Sequence, residues 1–82
     1  MGDKTTANET LSREETADRL QALASELRGD GPANVTVGNK VVTLTPSESP
    51  EYEITVEERS PMLGRRREEV TIELEWGVET DS

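Results

Sequence analysis

The chain has 82 residues, the size of one small domain. It carries 18 acidic and nine basic residues for a formal net charge of −9, with 30% hydrophobic residues and only Tyr52 and Trp76 as aromatics. It has no Cys, His or Phe, which excludes a disulfide framework, cysteine or histidine metal sites, thiol nucleophiles and any catalysis built on an imidazole base. No apolar run approaches the roughly 18 residues of a membrane-spanning helix. Met1-Gly2-Asp3-Lys4 opens onto Thr and Asn rather than an apolar segment. The expectation is a cytoplasmic chain with no membrane contact.

Low hydrophobicity with high net charge is ordinarily a signature of disorder. Here the apolar residues fall on two strict periods, and that placement predicts a folded domain. Residues 1–10 are polar and without period, and read as a flexible tail. Leu11-Ser12-Arg13-Glu14-Glu15 then gives a helix start: Ser12 can accept from the Glu15 backbone N–H while Glu15 reaches back to the N–H of Ser12. Ala17, Leu20, Leu23, Ala24 and Leu27 form one apolar stripe, and Gly29 follows Arg28 as a natural stop. One amphipathic helix over 13–28 is predicted.

After Gly29-Asp30-Gly31-Pro32 the period switches to two. Val35-Thr36-Val37 and Val41-Val42-Thr43-Leu44 flank Gly38-Asn39-Lys40, a hairpin in which Val37 faces Lys40, Thr36 faces Val41 and Val35 faces Val42. Val35, Val37, Val42 and Leu44 then share a face. Pro46 to Pro50 breaks the second strand. Residues 51–57 place Tyr52, Ile54 and Val56 inward, and residues 69–76 alternate Val70, Ile72, Leu74 and Trp76 with polar residues. The predicted fold class is α+β: an N-terminal amphipathic helix packed on a four-stranded antiparallel sheet in meander order. The domain is expected over 11–76, with 77–82 a second flexible tail.

These residues resemble a known family. Ser12 to Leu20 (SREETADRL), the acidic alternating segment Glu51 to Glu57 and the closing Glu73-Leu74-Glu75-Trp76 are similar to the corresponding parts of the amphi-Trp domain, a small domain common in haloarchaea. The resemblance implies no activity and no ligand, so no site residue is carried over from it. It does agree with a composition of two lysines against seven arginines and a large carboxylate excess, as in adaptation to a salt-rich cytoplasm.

Trp76 is in phase with Val70, Ile72 and Leu74, and its expected role is structural, capping the core with its indole N–H at the rim. Arg65, Arg66 and Arg67 form the one basic cluster, beside Met62 and Leu63 in the longest loop. This loop is the candidate partner contact, either through its apolar pair or, alternatively, by gripping nucleic acid or another anionic ligand through its arginines. Nucleic acid is disfavoured by the acidic surroundings: the polar sheet face carries Glu53, Glu57, Glu73 and Glu75 and no stacking aromatic. Alternate carboxylates on a strand could hold a cation weakly, but nothing resembles a calcium loop. Asn8-Glu9-Thr10 and Asn34-Val35-Thr36 match the glycosylation acceptor pattern, which carries weight only in an exported chain. No catalytic constellation and no cofactor motif is present. The sequence therefore reads as a non-enzymatic interaction or assembly module with a protein partner or a second copy of itself, its contacts made by an edge strand or the 59–66 loop.

Overall fold

The computed structural model describes residues 2–60 and 64–78. In chain order its elements are α1 (Arg13–Arg28), β1 (Ala33–Val37), β2 (Lys40–Leu44), β3 (Glu51–Arg59) and β4 (Arg67–Glu75). The chain divides into two compact units, residues 1–46 and 47–82.

In the first unit the helix begins where its capping residues demand. Ser12 Oγ accepts from the Glu15 N–H at 3.0 Å, and Glu15 Oε1 accepts from the Ser12 N–H at 3.1 Å. Two of the four N–H groups that a helix start leaves unpaired are satisfied in this way. At the other end Gly29 is in extended backbone (φ −72°) and donates to the Glu26 carbonyl at 3.3 Å, so this cap makes no use of glycine's left-handed freedom. β1 and β2 pair antiparallel with Val35 opposite Val42, Thr36 opposite Val41 and Val37 opposite Lys40, the predicted register. Gly38 turns the hairpin at φ +65°, a conformation that favours glycine because a Cβ would crowd the backbone. Val35, Val37, Val42 and Leu44 are half-buried, as are Leu23 and Leu27 of α1, which lies alongside β1. Among the described residues Ala33 is the one fully buried apolar side chain, 1% exposed. Residues 2–10 hold no helix or strand, yet the Glu9 carboxylate meets the Arg19 guanidinium at 3.3 Å through both oxygens.

The second unit is a long hairpin. β3 and β4 pair antiparallel over nine residues each, with Tyr52 opposite Leu74, Ile54 opposite Ile72 and Val56 opposite Val70. Both strands outrun their predicted lengths at the turn end, where Arg59 stands opposite Arg67.

The helix and four antiparallel strands are therefore present, but in two two-stranded sheets rather than one meander. Pro46 and Pro50 flank the crossing from β2 to β3, where a missing N–H and restricted backbone oppose ladder pairing. The inward placement expected for Tyr52, Ile54 and Val56 is also corrected: all three are exposed, together with Val70 and Ile72. A two-stranded hairpin has two faces, and here water reaches both.

Candidate functional site

The period of two puts every second residue of β3 and β4 on one side of the hairpin. One side holds the cross-strand pairs Tyr52–Leu74, Ile54–Ile72 and Val56–Val70, closed at the turn end by Glu58 opposite Glu68. Its five most open apolar side chains are 43% to 66% exposed. They are contiguous, so they form a patch on the order of several hundred Å², the size that marks an interaction surface on a small protein. The other side sets Glu51 opposite Glu75, Glu53 opposite Glu73, Thr55 opposite Thr71 and Glu57 opposite Glu69. Directly opposed like charges oppose pairing, and no other fold element offsets them within this unit.

The loop residues divide. Met62 and Leu63 lie outside the described residues. Arg65 is exposed two residues before β4, whose first residue is Arg67. Arg66 Nη2 lies 3.7 Å from Glu58 Oε2, and Arg59 Nη2 lies 3.0 Å from Glu69 Oε1. The arginines thus stand among carboxylates of their own hairpin, with two of those carboxylates already engaged by guanidinium groups. This geometry offers a weaker anion site than three free arginines would.

Trp76 follows directly on β4 and is half-buried. It lines a shallow depression of about 410 Å³ with Ser47, Ser49, Glu51, Glu75 and Gly77. The first unit has its own open groove of about 760 Å³ between α1 and the β1–β2 hairpin, lined by Leu20, Leu23, Val35 and Val41 with Arg19 and Glu26 at its edge. Among the described residues no group of three or more carboxylates is placed to hold a metal ion. No helix there is long and apolar enough to cross a membrane. Hydrogen bonds with the Ser12 backbone and hydroxyl, aided by Arg19, hold the Glu15 pKa below its ordinary value. That shift belongs to a helix cap, not to acid–base chemistry.

An acidic alternating hairpin that runs into a tryptophan, behind a capped amphipathic helix, is the arrangement that the family resemblance implies. The family model for the Amphi-Trp domain matches residues 3–82. The chain belongs to the Amphi-Trp family. Comparison with curated proteins and with solved structures gave no match. The Amphi-Trp match takes in residues 3–10 and reaches residue 82, beyond the 11–76 span that periodicity marks out.

Sequence reasoning found the apolar alternation of this Amphi-Trp hairpin and assigned it to a core. The signal against that assignment was present: a single helical stripe has two hairpin faces to cover.

Proposed function

We propose that this chain is a non-enzymatic protein-interaction or assembly module working in a salt-rich cytoplasm, and that the apolar face of β3–β4 is its contact surface. The observation that carries the reading is the register-matched row of Tyr52, Ile54, Val56, Val70 and Ile72, all open to solvent on one side of the hairpin. High salt weakens charge-based recognition through screening but leaves apolar burial intact or stronger, so an apolar face suits such a cytoplasm. The excess of carboxylates and the preference for Arg over Lys support the same setting. An arrangement in which α1 covers one continuous four-stranded meander would use the same face within the chain. It is the less favoured one, because β1–β2 and β3–β4 form separate two-stranded sheets.

The test is retention in molar KCl by the immobilised full chain, comparing it with an Ile54→Glu, Ile72→Glu double variant. The wild-type chain is expected to retain protein, either further copies of itself or another chain, and the double variant to lose it. Identical retention by both, including none, defeats the reading.

A further inference from the structure

We infer that the occupant of the β3–β4 apolar face is a second copy of this chain, which packs its own β3–β4 face against it with the strands running in the opposite direction. This rests on the reading that the face is the contact surface, and adds the partner and the geometry.

The hairpin calls for a cover. Two isolated strands are marginally stable at best in water. This pair also sets four Glu residues directly opposite four others, each pairing unfavourable. In the first unit the half-buried residues of α1 and β1–β2 serve that unit, and its large exposed apolar side chains are Leu20 and Val41, two against the five of the hairpin. An identical face on another copy is equal in area and in length. Packing it by a two-fold axis gives a closed, self-complementary contact.

Side-chain size selects the direction. Along the hairpin the face runs from broad (Tyr52, Leu74) through intermediate (Ile54, Ile72) to narrow (Val56, Val70). Stacked sheets keep a roughly uniform separation of about 10 Å. Strands running the same way would set broad on broad and narrow on narrow, leaving a wedge-shaped gap. Reversed strands set Tyr52 over Val56 of the second copy, Leu74 over Val70, and Ile54 over Ile54, so that volumes add evenly.

Charge selects the same direction. Glu58 and Glu68 close the narrow end of the face. Same-way stacking would gather four carboxylates at one end. Reversal parts them, setting the Glu58–Glu68 pair of one copy at the opposite end from that of the other. The acidic rows Glu51, Glu53, Glu73 and Glu75 stay on the outer, solvated sides.

A few hundred Å² per copy is less than the roughly 800 Å² of a standard interface, so dissociation is expected in the micromolar range. Residues 47–82 hold 11 acids against four bases, and salt should tighten the pair by screening their repulsion.

The experiment is sedimentation of the full chain over a concentration series in molar KCl, with cross-linking of single-thiol variants. The chain has no cysteine, so each introduced thiol is unique. The wild-type mass is expected to rise from 9.0 kDa towards twice that value. Ile54→Glu should move the midpoint by about tenfold or more while the helical circular dichroism of the first unit stays unchanged. Ile54→Cys should cross-link to itself through a short bis-maleimide that spans the roughly 10 Å between stacked sheets, a gap too wide for a direct disulfide. Val56→Cys should do so far less, since reversal leaves its two copies a further ~13 Å apart along the strands. A wild-type chain that remains at 9.0 kDa up to millimolar concentration, or an unmoved midpoint for Ile54→Glu, overturns the second copy as partner. Cross-linking of Val56→Cys in preference to Ile54→Cys overturns the reversed order. If the chain is monomeric but retention of another protein is lost with the face, only this inference fails; face-independent retention removes the interaction reading beneath it.

Discussion

Glu26 on the last turn of α1 accepts a hydrogen bond from the backbone N–H of Asn34 in β1, at 2.8 Å. Asn34 is tied on its other side as well: its Oδ1 accepts from Thr43 Oγ1 of β2, also at 2.8 Å. One residue thus links the helix to both strands of its hairpin. The carboxylate also occupies an outward donor of β1, a group that would otherwise be open to pairing with a foreign strand.

Removing that acceptor tests the link. Glu26→Ala is expected to destabilise the chain by about 1 kcal/mol, the usual net value of such a bond near the surface, and Glu26→Gln by less because an acceptor oxygen remains. Denaturant unfolding gives the difference, and amide exchange at Asn34 locates it. Equal stability of all three chains would mean the bond contributes nothing in solution.

The helix cap gives a pH prediction. Ser12→Ala should cost about 1 kcal/mol, seen as a lower unfolding midpoint. Because its bonds with Ser12 hold the Glu15 pKa below the ordinary value, Glu15 contributes stability that is complete above the ordinary carboxylate pKa. That contribution is lost as pH falls through the lowered pKa. Glu15→Gln should therefore show a shallower loss of helical circular dichroism on acidification than wild type.

The acidic rows give a salt prediction. The thermal midpoint should rise from low salt to molar KCl as Glu51–Glu75, Glu53–Glu73 and Glu57–Glu69 are screened. Glu53→Lys turns one repulsive pair into an attractive one and should raise the low-salt midpoint, by an effect on the order of 0.5–1 kcal/mol, while reducing the dependence on salt. An unchanged slope in this variant would place the salt response elsewhere.

What could be read from the residues alone follows their range of action. The Ser12–Glu15 cap and the 13–28 helix depend on neighbours three and four residues apart, and both stand as predicted. So does the β1–β2 register, which the two-residue turn at Gly38-Asn39 dictates. The alternation from 51 and from 69 specified which side chains share a face. It carried no information on what covers that face, because periodicity is the same for a buried strand and for one awaiting a partner. Thus Tyr52, Ile54 and Val56 were placed on the right side but in the wrong environment. The arginines of the 59–66 loop are conspicuous in the sequence, whereas the engagement of Arg66 with Glu58 and of Arg59 with Glu69 depends on strand pairing.

That engagement yields the last prediction. Changing Arg65, Arg66 and Arg67 together to Ser should alter stability only slightly, by roughly 0.5 kcal/mol or less, since it removes the exposed Arg66–Glu58 pair and leaves Arg59–Glu69 in place. Fluorescence anisotropy with a labelled oligonucleotide should show no binding by either chain at physiological salt. Binding that weakens steeply with salt and vanishes in the triple variant would instead make the loop a polyanion site.

Among the described residues every strand pairs with its immediate neighbour in the chain. Neither ladder therefore requires distant segments to find each other, and the entropy of closing each hairpin loop is small. Low contact order of this kind places intramolecular folding on fast timescales. The first 46 residues can complete their helix and hairpin while the remainder is still being synthesised. In the two-copy assembly inferred above, the slowest event left is the meeting of two chains, so its rate of appearance is set by how many copies the cell makes rather than by how fast any one of them folds.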